Sequence, residues 1–177
     1  MKLLIENNYE KVKYLGNIKR PSLNISFEIG NRPFTYPFRP DTGFITYHKS
    51  DKYCIKGCER LKKEIQKKGI FGRSMRIQVA DGNMAKVTVF EGVITKISGV
   101  SGSIKPEDMK VILSCTGCRN KKLIKRKISR GTLPDNTICL QCLKHGAPNV
   151  FGFDLMNLWI AEFNGPDQKF SIKSKDV

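Results

Sequence analysis

Four cysteines form two matched pairs in the second half of the chain. Cys115 and Cys118 enclose Thr-Gly, and Cys139 and Cys142 enclose Leu-Gln, so each pair has C-x2-C spacing. Two intervening residues let a tight turn aim both sulfurs at one cation, and the stretch between the pairs can run out and back as a two-stranded ribbon. The pattern therefore predicts one structural zinc ion, because four thiolates leave no ligand position open for water or substrate.

Other assignments of these side chains stay open from sequence alone. The four cysteines could be unligated thiols or a redox pair, and His145 could replace one of them as a ligand. Cys54 and Cys58, in C-x3-C spacing with His48 upstream, could contribute to a second metal site. No fourth ligand is apparent there, so we interpret Cys54 and Cys58 as two buried thiols at the start of a helix.

The chain carries far more positive than negative charge. It has 32 Lys and Arg against 16 Asp and Glu, a formal charge of +16 and a pI near 9.7. Such an excess indicates an anionic partner, with nucleic acid ahead of an anionic membrane surface, an acidic protein or a simple solubility role. No apolar run is long enough for a membrane helix, and residues 1–8 do not form a secretory signal. We therefore expect an intracellular protein of the nucleus or cytoplasm, with reduced cysteines.

The cations concentrate in two regions. The first lies between the cysteine pairs, contains no acid and comprises Arg119, Lys121, Lys122, Lys125, Arg126, Lys127 and Arg130. The second covers residues 52–76 and includes Lys62, Lys63, Arg73 and Arg76. A zinc-braced ribbon would hold the first set in a fixed array that suits phosphate groups. Phe34 and Tyr36, which lie among prolines and arginines, are predicted to be exposed rings on which bases of a single strand could stack.

The elements that must position these residues are mostly strands. Residues 23–29 alternate apolar and polar side chains, and residues 75–89 read as a hairpin around Asp81-Gly82-Asn83. A helix is predicted over residues 58–68, with Leu61 and Ile65 on one face and Gly69 as its C-terminal cap. Prolines 33, 37 and 40 predict an extended connection, and short strands are expected at residues 111–113 and 151–155.

This pattern predicts a mainly β, α+β protein. We expect a small β-barrel with one or two short helices, followed by a zinc ribbon. A Gly- and Ser-rich segment over residues 98–103 indicates a boundary near residue 105. Residues 1–105 are thus expected to form a basic β-rich domain. Residues 106–177 are expected to form the four-cysteine unit with C-terminal strands.

Part of the C-terminal half resembles the zinc-bearing oligonucleotide-binding (OB) domain of the replication protein A large subunit. The similarity comprises the step Cys118-Arg-Asn-Lys-Lys-Leu-Ile, the pair Cys139–Cys142, and the stretch from Phe151 to Phe163 that ends in Ile-Ala-Glu-Phe. It implies an OB-like barrel, four cysteine ligands, a barrel strand over residues 151–163 and binding of single-stranded nucleic acid. The family domain continues well beyond such a strand, whereas this sequence ends at Val177, so N-terminal strands would have to complete the barrel.

Three classes of function compete for this sequence. The first is a zinc-binding protein that binds single-stranded DNA or RNA through the ribbon and a barrel groove. The second is a transcription or replication factor whose zinc ribbon contacts a polymerase or nucleoprotein complex. The third, a nuclease, is disfavoured because the two histidines lie in unrelated contexts and no phosphate loop or nucleophile elbow occurs. We therefore predict a binding protein that is not an enzyme.

Overall fold

The computed structural model describes residues 2–11, 19–41, 52–78, 84–116, 130–131 and 149–175. Within these ranges the elements are β1 Leu3–Asn8, β2 Glu10–Lys11, β3 Lys19–Arg20, β4 Leu23–Ile29, β5 Arg32–Pro40, β6 Tyr53–Gly57, α1 Glu59–Lys67, β7 Arg73–Gln78, β8 Met84–Ser98, β9 Ser103–Ile104, β10 Lys110–Thr116, β11 Val150–Phe151, α2 Phe153–Met156, β12 Ile160–Asn164 and β13 Lys169–Lys173. The protein is mainly β with two short helices in its described part, as the sequence predicted.

Six of the strands close into a barrel. Their order around it is β4, β5, β11, β6, β10, β8 and back to β4. The β5–β11 and β6–β10 neighbours run parallel, and the other neighbours run antiparallel. β11 has only two residues, and without it the remaining five strands would be open between β5 and β6. This arrangement is consistent with a small OB-like barrel, which is a five-stranded and partly open fold.

Strand β4 follows the predicted alternation, but β5 does not follow the prediction. Residues 32–40 form a strand instead of a connection, and a two-residue turn at Gly30 and Asn31, both with positive φ, joins it to β4. Asn149 lies on the side of β5 opposite to β4, and its side chain donates a hydrogen bond to the Pro37 carbonyl. This carbonyl therefore points away from β4. Since the nitrogen and carbonyl of one strand residue point to the same side, Pro33 and Pro37 remove no hydrogen bond of the β4–β5 ladder.

The predicted hairpin is confirmed and its second strand is longer than the pattern suggested. β7 pairs with the first six residues of β8, from Arg73↔Val89 to Gln78↔Met84, and the turn at residues 79–83 lies outside the described residues. β8 then continues along β4. One extra residue, Thr95, bulges between Ile94 and Lys96, so that Ile94 and Ile97 both face the core.

Helix α1 follows β6 and is also confirmed. Its apolar face buries Leu61 and Ile65, and the chain leaves the helix through Gly69, whose φ of 80° is a left-handed conformation favourable for glycine. Cys58 is the residue before the first helical turn. The helix therefore follows directly from a barrel strand, with its lysines on the outer side.

A second, three-stranded antiparallel sheet has the order β1–β13–β12 and packs its β1 and β13 residues into the same core as β4. The strand expected over residues 151–163 is wrong, because the structure has β11, then α2, then β12, and β12 belongs to this second sheet. Alternating apolar residues at 151, 153 and 155 are equally compatible with a two-residue strand that turns into a helix.

The predicted boundary near residue 105 falls between β9 and β10. β10 nevertheless pairs with β6 and β8, so the barrel takes strands from both sides of that boundary. The cysteine-rich part of the predicted second unit lies outside the described residues, apart from Cys115, and the division into two units stays a prediction. No helix in the described ranges is long and apolar enough to cross a membrane.

Candidate nucleic-acid interface and metal centre

Cys115 lies near the end of β10, inside the barrel. It pairs in register with Gly57 of β6, and a Cβ built on Gly57 would come 2.9 Å from the Cys115 sulfur. The residue is 1% exposed and belongs to the main core with Leu61 and Cys58. Burial, and then the neighbouring Cys58, raise the pKa of the Cys115 thiol to about 12. A thiol with such a pKa keeps its proton at neutral pH unless a metal ion binds it.

The other three predicted zinc ligands, Cys118, Cys139 and Cys142, lie outside the described residues, as does His145. The structure describes no cluster of three or more His, Cys, Asp or Glu side chains that could hold a metal ion. The four-thiolate site therefore stays a prediction, and Cys115, near the end of β10, is the one predicted ligand within the described residues.

Cys54 and Cys58 are both buried, as predicted for two thiols at the start of a helix. They face different environments. Cys58 belongs to the main core, whereas Cys54 packs with Val87, Val89 and Ile112 in a small second cluster. The two side chains thus do not converge on one ion, and His48 lies outside the described residues.

Asn149 joins β5 to the start of α1. Its side-chain oxygen accepts a hydrogen bond from the Cys58 N–H at 3.1 Å, and its amide donates to the Pro37 carbonyl at 3.1 Å. Its own carbonyl accepts from the Arg39 N–H at 2.9 Å. The residue is 3% exposed. A single buried amide therefore sets the position of α1 relative to the β5 edge, in line with the general rule that buried polar groups are paired.

The α1–β5 cleft opens between that helix and that strand. It has a volume of about 390 Å³, and its lining includes Pro33, Thr35 and Tyr36 from β5 and Glu64 and Lys67 from α1. The opening exists because β11 pairs with β5 only at Arg39 and Pro40. The earlier part of the β5 edge borders the helix instead of another strand.

Tyr36 and Glu64 meet across the cleft. The Tyr36 hydroxyl donates a hydrogen bond to the Glu64 carboxylate, which also accepts from Arg60 Nε at 3.3 Å. The Tyr36 bond is the main reason why the pKa of Glu64 lies below its usual range. Burial, and then this bond, raise the pKa of the Tyr36 phenol. Tyr36 is half-buried, so its ring lies in the cleft wall with its hydroxyl already occupied.

Phe34 does not have the predicted exposure. The ring is 6% exposed and stacks on Phe27, with 5.7 Å between the centroids and 19° between the planes. Lys68 Nζ lies 4.9 Å from the Phe34 centroid. The interpretation of Phe34 as an open stacking ring is therefore wrong, because its position in β5 directs the side chain to the core.

The second basic region is placed mainly on α1 and β7. Lys63 and Arg76 are exposed, whereas Lys62 forms an ion pair with Glu59 at 3.4 Å and Arg73 forms one with Glu91. Arg130 is exposed. The remaining cations predicted to bind nucleic acid lie outside the described residues: Arg119, Lys121, Lys122, Lys125, Arg126 and Lys127.

One exposed ring was missed by the sequence reasoning. Phe71 follows α1, and its side chain is 80% exposed. It fits neither the helical nor the alternating pattern around it. The available signal was its position between Lys68 and Arg73 in a glycine-flanked connection.

Comparisons with family models, with curated proteins and with solved structures found no match to this chain.

Proposed function

We propose that this chain is a zinc-binding protein that binds nucleic acid, with a preference for single strands of DNA or RNA, and that it is not an enzyme. The observation that supports the proposal most is the set of unpaired cations beside the α1–β5 cleft. A basic cleft beside a closed barrel can bind the phosphate backbone of a single strand and leave its bases free to contact side chains.

The acidic residues of α1 do not neutralise the positive charge of the lysines on its outer surface. Glu59 is 3% exposed and paired with Lys62, and Glu64 is bound by Arg60 and Tyr36. In the described part of the chain, Lys63, Lys67 and Lys68 form no ion pair. Lys68 lies over the Phe34 ring, a contact that leaves its charge uncompensated, so all three ammonium groups can contact phosphate. Each phosphate they neutralise would release counterions and make binding salt-dependent.

Zinc is the second part of the proposal. Cys115, Cys118, Cys139 and Cys142 would hold one ion, and four thiolates would make its role structural. The basic segment between the pairs, at residues 119–130, would then be fixed next to the end of β10. Such a ribbon would extend the cationic surface beyond the barrel and lengthen the stretch of nucleic acid that the protein contacts.

The test is a titration of the full chain, purified with zinc, by fluorescence anisotropy against labelled single-stranded and double-stranded DNA and RNA of equal length. The titration is repeated at several salt concentrations, and zinc is quantified by mass spectrometry. We expect about one zinc per chain, a preference for single strands and affinity that falls steeply with salt. No binding at near-physiological salt would refute the nucleic-acid proposal. It would indicate that the basic surface contacts a protein complex instead.

A further inference from the structure

Among the described residues, Phe71 has the most exposed large apolar side chain, at 80%. Single exposed apolar residues are common and need no special reason. What distinguishes Phe71 is the combination of a closely packed backbone on either side of it with cations before and after it in the chain.

The residues on either side of Phe71 are fixed by packing. Ile70 packs against the main core, and its side chain lies 3.6 Å from where a Cβ on Gly30 would be. A Cβ on Gly72 would come 2.5 Å from the Val89 carbonyl and 2.9 Å from the Phe90 ring, so the chain there lies tightly against β8. The ring of Phe71 therefore extends into solvent from an anchored segment. A ring held in this way loses little conformational entropy when a ligand stacks on it.

The charged residues of the segment that contains the ring all have one sign. The segment from Lys67 to Arg73 contains three cations and no acid. Lys67 and Lys68 are exposed and form no ion pair within the described part of the chain, whereas Arg73 is engaged with Glu91. Lys68 is three residues from Phe71 and Lys67 is four, which correspond to at most ~11 Å and ~14 Å of extended chain, so both lysine side chains are close enough in the chain to contact a phosphate attached to a nucleoside stacked on Phe71.

We propose that Phe71, Lys67 and Lys68 form a subsite for one nucleotide of a single strand. The base stacks on the Phe71 ring, and the ammonium groups of the two lysines, which border the α1–β5 cleft, contact the adjoining phosphate. Stacking suits this site because every base has a π face, and an all-cationic segment favours nucleic acid over a protein partner. The subsite rests on the proposed function, since it assigns a place where the strand would bind.

The experiment measures the affinity of the full chain, purified with zinc, for a fluorescein-labelled oligothymidylate by anisotropy. Phe71→Ala is expected to weaken binding about 5- to 140-fold, which is the range for loss of one stacked base. Phe71→Tyr should bind like the wild type because it keeps an aromatic ring. Phe71→Leu keeps apolar surface but has no π system for stacking, so it should bind as weakly as Phe71→Ala. Phe163→Ala, which removes another half-exposed ring on β12, is the matched control and should leave the affinity unchanged.

A second arm tests the lysines. Lys67→Gln combined with Lys68→Gln should reduce the slope of log affinity against log salt by about 1.4, which corresponds to two phosphate contacts. The control Lys105→Gln, also at an exposed lysine, should change the slope by at most about 0.7, the value for one contact. Thermal melts verify that each variant is folded.

The two proposals fail in distinguishable ways. If the wild type does not bind any single strand, the proposed function is overturned and the subsite with it. If the wild type binds and Phe71→Ala binds equally well, the subsite is overturned and the function stands. Binding that Phe71→Leu restores would also overturn stacking, since it would indicate a general apolar contact.

Discussion

Replacing Asn149 with alanine is the sharpest test of how the barrel holds α1. The amide makes two hydrogen bonds, from Cys58 N–H and to the Pro37 carbonyl, at a site that is 3% exposed. Removing one partner of a buried bond costs about 1–3 kcal/mol, so two penalties of about 1.5 kcal/mol each, in the lower half of that range, predict a loss of about 3 kcal/mol in the free energy of unfolding. For a chain of this size such a loss lowers the melting temperature by about 6–12 °C.

The loss is measured by urea denaturation and by thermal melting of Asn149→Ala and wild type. Asn157→Ala is the control, because Asn157 is exposed and its side chain forms no hydrogen bond within the described part of the chain, and its change should stay within about 0.5 kcal/mol. A change for Asn149→Ala as small as that of the control would refute the reasoning. It would mean that water replaces both bonds and that α1 is positioned by its apolar face alone.

Three further outcomes are expected. Gly92→Ala should destabilise the protein by about 1–3 kcal/mol or more, because the added Cβ would lie 2.2 Å from the Glu28 carbonyl, whereas Gly165→Ala, with nothing within 4 Å, should be close to neutral in urea denaturation. Equal melting curves for the two glycine variants would contradict this. Ionised Glu64 has a lowered pKa, so its contribution is present above the unfolded-state pKa of ~4.3 and is lost as pH falls through the lower folded-state value. Stability of Glu64→Gln should therefore fall less than that of the wild type between neutral and acidic pH, and parallel stability profiles would argue against the Tyr36 contact. Cys142→Ser should lose zinc and stability together, while Cys54→Ala should keep its zinc; a Cys142→Ser protein with full zinc content would remove Cys142 from the ligand set.

Elements with a strong local period were predictable from the sequence. The alternation in β4, the Leu61 and Ile65 face of α1 and the hairpin of β7 and β8 all depend on neighbours in sequence, and the structure confirms them. Local side-chain period decides which face can be buried, whatever the partner is. The cysteine spacing likewise predicts zinc from covalent reach alone, and it stays a prediction here because three of the four ligands lie outside the described residues.

Other features depended on partners that are distant in sequence. The prolines of β5 are tolerated in a strand because of how β4, β11 and Asn149 lie on its two sides, and no local pattern contains that information. The same is true of the stretch after Phe151, which turns into a helix after only two residues in the barrel.

The sequence by itself determined the charge, the cysteine pattern and the strands and helix with regular periods. Only the tertiary structure decided which aromatic rings are exposed. Phe34 and Phe71 both lie near a cation in sequence, Arg32 and Lys68 respectively, yet one ring is stacked in the core and the other is 80% exposed. The reason is physical: burial of a side chain is set by what packs against it across the whole chain, whereas charge and spacing are properties of the chain itself.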